Sequence, residues 1–268
     1  HAMPAYIPAL KSAGLKWVAG FPENPKRGLP YITGLLILND VETGLPLAIM
    51  DCIWVTGMRT GAATGVAAEF LARPDSATVG ILACGVQGRT NLMALMELFP
   101  IQRVHAYDVD KESQAKYVAE ARARYGVEVV GVDEPRQAVE GMDLIVTSGP
   151  ILRVPHATIQ PGWMKEGAFA SLVDFDSYWS PAAMKEVDKF VTDDIPQLEH
   201  YQTVGYLQDI PPVYAGLGQI AAGVKPGRET PNERTMTCNL GLAMDDMATA
   251  PIIYRRALEM GIGTWLEL

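Results

Sequence analysis

The segment Ala83-Cys84-Gly85-Val86-Gln87-Gly88 has the spacing with which a strand-to-helix turn takes up a pyrophosphate. It is the pattern G-x-G-x-x-G with Ala83 at its first position. Gly85 lets the backbone approach a phosphate, and Gly88 lets helix and sheet pack closely. The helix opening at Val86 and Gln87 offers free amides and a positive dipole end. Ala83 weakens the match, because the first glycine serves a tight turn and alanine tolerates fewer dihedrals. Tyr107-Asp108 ends the next strand, 20 residues beyond Gly88. A carboxylate there accepts both adenosine ribose hydroxyls and repels a 2′-phosphate, which favours NAD over NADP. Thr60 and Thr147 are further candidates for cofactor binding. The plain alternative is a strand-turn-helix whose glycines serve packing, with a surface Asp.

Three further side chains could act on a small molecule. Arg59, in Thr56-Gly57-Met58-Arg59-Thr60, is placed at the start of a helix. A cation in a first turn opposes the dipole and calls for an anion, which a substrate carboxylate or a cofactor phosphate would supply. The alternative is a surface Arg paired with Asp51 or Glu69. Lys16 interrupts an apolar strand between Leu15 and Trp17. A half-buried lysine binds carboxylates or acts as a base, whereas strand alternation alone leaves it in solvent. Asp176, in Val173-Asp174-Phe175-Asp176-Ser177, follows a strand at its carboxyl end, where ligands of open α/β sheets bind. Of Asp174 and Asp176, one is a candidate general base and the other a turn cap, unless both are solvated loop carboxylates.

The elements that must position these residues follow from hydrophobic periodicity. Residues 1–55 read as β-rich, with a strand at 15–18 and a hairpin of 32–38 with 45–50 turning through Asn39 to Gly44. A helix of small residues spans 60–72. Beyond it, strands at 78–82, 103–107, 127–130, 143–147, 168–173 and 190–192 alternate with helices at 86–99, 111–125, 134–141, 181–186 and 195–201. Further helices are expected at 214–222 and 240–260. Short apolar strands separated by amphipathic helices predict a Rossmann-type, doubly wound parallel sheet, with a smaller α+β part beside it.

Composition excludes several classes. The 268 residues carry 22 Lys+Arg against 31 Asp+Glu, a net charge of −9, which argues against nucleic acid or an acidic membrane surface as partner. No apolar run is long enough to span a bilayer, and no signal-peptide layout opens the chain. Three scattered cysteines, Cys52, Cys84 and Cys238, fit a reducing, cytoplasmic interior. The four histidines lack ligand spacing, so no metal site is expected.

The order of motifs is more specific than the fingerprint. His1-Ala2-Met3-Pro4-Ala5-Tyr6, Gly14-Leu15-Lys16-Trp17-Val18-Ala19-Gly20-Phe21-Pro22, Met58-Arg59-Thr60-Gly61-Ala62-Ala63 and the 83–88 turn are followed by Lys225-Pro226-Gly227-Arg228 and Gly241-Leu242-Ala243-Met244-Asp245-Asp246. Over nearly the whole chain this resembles the ornithine cyclodeaminase/μ-crystallin family. The resemblance implies a Rossmann domain, 59–242, inserted into a substrate-binding and dimerisation domain made from 1–58 and 243–268, and a homodimer. It implies Lys16 and Arg59 as carboxylate-binding positions, Asp176 as catalytic aspartate, with Lys16 at the reacting centre beside it, and Asp108 as ribose-binding acid. Departures are Ala83, and Thr237 and Asn239 where the family has phenylalanine and serine. The family also has some tens of residues before the His1 segment, including an arginine and a glutamate that frame the substrate. The chain is therefore read as lacking a natural N-terminus.

The activity this implies is conversion of L-ornithine to L-proline and ammonia. NAD takes a hydride from the α-carbon, the δ-amine attacks the resulting imine, and the hydride returns. The alternatives are an alanine-type amino-acid dehydrogenase, a cyclic imine or ketimine reductase, or a non-catalytic dinucleotide-binding protein. The expected ligand besides NAD is a small amino acid or cyclic imino acid.

Overall fold

A computed structural model describes residues 1–267. The chain divides into two compact units, His1–Arg59 with Gly241–Leu268, and Thr60–Leu240.

The first unit is a four-stranded antiparallel sheet in the order β1 (Ala2–Ile7), β2 (Ser12–Gly20), β3 (Ile32–Asn39) and β4 (Pro46–Asp51), with helix α7 (Ala243–Glu259) on one face. Strand alternation decides what each face carries. Ser12, Lys16 and Val18 of β2 and Leu36 and Leu38 of β3 are buried. The Ser12 hydroxyl donates to the Met247 carbonyl of α7 at 2.6 Å. The opposite face is apolar and open: Trp17 lies across from Leu35 in register and is 63% exposed, while Ile49 lies across from Ile37 and is 58% exposed.

Helix α1 (Ile53–Leu71) starts seven residues before the helix expected at Thr60. The reason is Asp51, whose carboxylate accepts the Ile53 and Trp54 amides at 3.0 and 3.2 Å and so caps the helix at once. Arg59 therefore sits at the end of the second turn, and the argument from a first-turn cation does not apply to it.

The second unit carries eight parallel strands in the order β11 (Val213–Gly216), β10 (Lys189–Thr192), β12 (Thr235–Cys238), β9 (Phe169–Leu172), β8 (Leu144–Thr147), β5 (Thr78–Leu82), β6 (Arg103–Tyr107) and β7 (Glu128–Gly131). Helices α2 (Val86–Leu98), α3 (Lys111–Tyr125), α4 (Pro181–Met184), α5 (Ile195–Thr203) and α6 (Leu217–Ala221) connect them. Every residue of β8, β9, β10 and β12 is buried, as a sheet covered on both faces requires. The winding reverses between β5 and β8: β6 and β7 lie to one side, β8 and β9 to the other. This makes the β5/β8 gap the topological switch point. The doubly wound α/β architecture is thus the one the periodicity predicts.

Three local expectations differ. Residues 214–222 form strand β11 and the short α6 instead of one helix; a short apolar run does not separate the two states by period alone. The expected helix at 134–141 shrinks to a single 3-10 turn, Pro135–Ala138. Strand β12 was not expected, because Thr235 and Thr237 look like surface residues. Both are buried with their hydroxyls satisfied, Thr235 by the Leu71 carbonyl at 2.7 Å and Thr237 by the Asn239 side-chain oxygen at 2.9 Å.

Candidate functional site

The parallel strands bring their carboxyl ends to one edge of the second unit. Strand β5 delivers the 83–88 turn there, β6 delivers Asp108, β8 Thr147, β9 Asp174 and Asp176, and β12 Asn239.

At the switch point, Ala83 takes φ +79°, the left-handed region where glycine is at ease and a Cβ is strained. The turn is nevertheless fixed: the Ala83 amide donates to the Tyr107 carbonyl at 2.9 Å and the Ser148 hydroxyl donates to the Ala83 carbonyl at 3.0 Å. A Cβ on Gly88 would come within 2.5 Å of the Ala83 carbonyl oxygen, so only glycine permits this approach of helix and strand. A Cβ on Gly85 would meet no heavy atom within 4 Å, so the space over the turn is open. No side chain caps the start of α2. Val86 is exposed there, and the Gln87 side-chain oxygen lies 3.3 Å from the Thr90 hydroxyl. Asp108 stands at the rim, its carboxylate accepting the Cys84 amide at 2.7 Å and the Asp110 amide at 2.9 Å. Arg89 fastens the turn from behind by donating to the Cys84 and Gly85 carbonyls while its Nε pairs with Glu120 at 2.7 Å. An open glycine turn, an uncapped helix start and an oriented acid fit a dinucleotide. Burial and the nearby Asp108 push the Cys84 thiol up to about 12, so it is no nucleophile.

The two loop carboxylates separate into different roles. Asp174 is fully buried; its oxygens accept the Thr147 hydroxyl at 2.7 Å and the Gly149 amide at 2.9 Å. Asp174 is thus the turn cap, and the Thr147 hydroxyl is committed to it. Burial raises its carboxyl to about 7, against these two hydrogen bonds. Phe175 between them takes φ +60°, its ring packed edge-on to Tyr201 at 4.9 Å. Asp176 is 8% exposed, and its Oδ1 is buried without a hydrogen-bond partner among the described residues. Burial raises its carboxyl above the ordinary carboxylate range, which makes it a better proton acceptor than a solvated Asp. Just past the end of the neighbouring strand β12, Asn239 is buried, its oxygen held by Thr237 and its Nδ2 unpaired among the described residues. Only burial distinguishes this amide, and no sequence signal singles it out as a functional group.

The first unit brings Lys16 and Arg59 together, but not as expected. Lys16 is neither half-buried nor solvated; it is 0% exposed, and its ammonium lies 2.8 and 2.7 Å from the two oxygens of Asp246, itself fully buried. Arg59 pairs with neither Asp51 nor Glu69. Its Nε stands 3.7 Å from Asp246 and its Nη1 3.6 Å from Asp245. Burial is the largest influence on the Lys16 ammonium and lowers its pKa; the Arg59 charge adds to this and Asp246 opposes it. Asp246 escaped notice as a functional residue because nothing in its sequence position announces that α7 turns it onto β2. Thr60 is buried at the start of the second unit.

Among the described residues no group of three or more His, Cys, Asp or Glu is placed to hold a metal. No helix among them is long and apolar enough to cross a membrane.

A doubly wound parallel sheet with an open glycine turn at its switch point and an acid ending the adjacent strand defines a dinucleotide-binding α/β protein. The chain belongs to the ornithine cyclodeaminase/mu-crystallin family, whose pattern matches residues 1–261. Over 275 residues it is 36% identical to alanine dehydrogenase of Archaeoglobus fulgidus, covering 100% of this chain and 83% of that protein. The structure of Δ1-pyrroline-2-carboxylate reductase of Thermococcus litoralis, in complex with NADH and L-proline, superimposes with a TM-score of 0.88 at 34% identity, covering 99% of this chain and 84% of that one. A lysine cyclodeaminase studied for recognition of L-lysine, L-ornithine and L-2,4-diaminobutyric acid is similar at a TM-score of 0.85 and 29% identity, covering 100% and 78%.

Proposed function

We propose that the protein is an NAD(H)-dependent enzyme that interconverts an amino acid and the imine at its α-carbon. The observation that carries the reading is the shared carboxyl edge of the second unit, where the open Gly85 turn and the unpaired, buried oxygen of Asp176 occur on one sheet. Family membership and relatives solved or named as NAD(H)-linked enzymes support it.

In this reading Ala83, Gly85, Val86, Gln87 and Gly88 hold the pyrophosphate, and Asp108 holds the adenosine ribose. Thr60 lines the cofactor site, while Thr147 contributes by positioning Asp174. The bound nicotinamide supplies hydride transfer. Lys16 and Arg59 bind the substrate carboxylate and fix its α-carbon in one orientation. Asp176 takes and returns the proton at the amine or imine nitrogen.

Two completions share this step. A net redox reaction, as in an alanine-type dehydrogenase or a cyclic imine reductase, is favoured by the higher identity to the alanine dehydrogenase and the pyrroline-2-carboxylate reductase than to the cyclodeaminase. Cyclodeamination of L-ornithine to L-proline and ammonia returns the hydride within one turnover; the unpaired Asp176 oxygen suits it too, as acceptor of the proton from the attacking δ-amine. Incubation with NAD⁺ and L-alanine, L-proline or L-ornithine separates them. Growth of reduced-cofactor absorbance marks the first, and ammonia from ornithine with no net NADH marks the second. NADH binding without turnover of any amino or imino acid supports a dinucleotide-binding protein instead.

The open apolar face of the first unit's sheet, around Trp17, Leu35 and Ile49, is the surface through which we place a homodimer.

A further inference from the structure

Lys16, Arg59 and Asp246 are brought to one spot in the first unit by three elements, β2, α1 and α7. Asp246 lies in the first turn of α7 (Ala243–Glu259), where the helix dipole favours an anion. Its neighbour Asp245 is engaged differently: its carboxylate accepts the Leu242 amide at 3.2 Å, as a cap. Asp246 instead points at β2: its Oδ1 accepts a hydrogen bond from the Lys16 ammonium at 2.8 Å, its Oδ2 lies 2.7 Å from the same nitrogen as an ion pair, and Arg59 Nε is at 3.7 Å. Room for the guanidinium is made by Gly241, at φ +88°, where a Cβ would come within 2.6 Å of Arg59 Nη1. The two cations thus share the fully buried carboxylate of Asp246, while the partly exposed Asp245 faces Arg59.

We propose that Asp246 is the positioning residue of this anion site: it fixes Lys16 and Arg59 in one arrangement and keeps Lys16 an ammonium, so that the pair receives one substrate carboxylate. The proposal rests on the reading of Lys16 and Arg59 as carboxylate binders. The groups facing Lys16 are Arg59 from α1, Asp246 from α7 and Cys52 from the turn after β4. Its cross-strand neighbours are Met3 and Leu36, which are apolar. Asp51 lies beside Cys52, and Asp245 faces Arg59. Of these, Asp246 is the partner that both hydrogen-bonds the ammonium and favours its charge. Without it, burial and Arg59 act unopposed by that partner, and Lys16 loses its proton at lower pH.

The test measures steady-state kinetics with L-alanine, L-proline and L-ornithine as probes from pH 6 to 10, alongside NADH binding by fluorescence. Asp246→Asn is expected to raise KM for the accepted probe by about tenfold or more at pH 8. It should also move the alkaline limb of kcat/KM down by about one pH unit or more, since an adjacent opposite charge shifts a pKa by that order. NADH affinity stays unchanged. Asp246→Glu, which keeps the charge but displaces it, is expected to raise KM and leave the limb at its wild-type position. A limb in Asp246→Asn that superimposes on wild type overturns the proposal. So does an unchanged KM in Asp246→Glu, even if Asp246→Asn fails to fold. Wild-type protein that binds NADH but accepts none of the probes removes the carboxylate reading itself, and the proposal with it.

Discussion

Asp174 and Asp176 stand two residues apart in one buried loop, and only Asp174 has both carboxylate oxygens engaged, by the Thr147 hydroxyl and the Gly149 amide. The left-handed Phe175 between them lets the two side chains diverge. One carboxyl ties strand ends together; the other keeps a buried oxygen without a hydrogen-bond partner among the described residues.

Asp176→Asn is expected to lower kcat by about 10²–10⁴, the usual contribution of a positioned acid or base. NADH binding, followed by fluorescence, stays at the wild-type level because the glycine turn is untouched. A variant that keeps wild-type kcat removes Asp176 from the mechanism.

Asp174 makes stability depend on pH. Its folded-state carboxyl, at about 7, lies above the unfolded value near 3.9. The folded state therefore keeps a proton that the unfolded state releases, and this contribution is complete below about pH 4 and lost as pH rises through about 7. Relative to wild type, Asp174→Asn should gain stability progressively across that window. Urea unfolding at several pH values measures the difference; a constant difference contradicts the assignment.

Asp108→Ala should weaken NADH binding by about tenfold or more, about 1.4 kcal/mol, and narrow the preference over NADPH. Titration with both cofactors checks it, and unchanged NADH affinity means that the ribose lies elsewhere.

Ala83→Gly relieves a left-handed alanine, which costs about 1–2 kcal/mol, against a backbone entropy loss of about 0.5–1 kcal/mol. A net gain of up to about 1.5 kcal/mol is expected by denaturant unfolding, with NADH affinity preserved.

Trp17→Glu puts a charge in the middle of the proposed dimer surface and is expected to shift sedimentation to monomer; the same oligomeric state as wild type contradicts that surface. Lys16, on the opposite face of the same strand, keeps its contact with Asp246.

The second unit was legible because its signals are local. Alternating apolar runs and helices announce a parallel sheet, and the 83–88 turn with Asp108 lies within a few dozen residues of chain. Strand β12 was not legible, since Thr235 and Thr237 are buried by a strand that pairs with β9 and β10, and the Thr235 hydroxyl is satisfied only by the distant Leu71 carbonyl. The start of α1 was missed because Asp51 reads as the end of a hairpin until its carboxylate is seen on the Ile53 and Trp54 amides. Asp246 lies 230 residues from Lys16, a pairing that no spacing rule reaches. Resemblance implies Lys16 and Arg59 as carboxylate-binding positions; that both face the buried Asp246 is visible only in the packing.

Isotope tracing follows the hydride proposed to leave the α-carbon of the amino acid. With L-alanine or L-ornithine deuterated at the α-carbon, deuterium is expected on the nicotinamide ring after net oxidation, or back on the α-carbon of proline after cyclisation. Turnover that loses the deuterium to water, with none on cofactor or proline, would contradict that transfer.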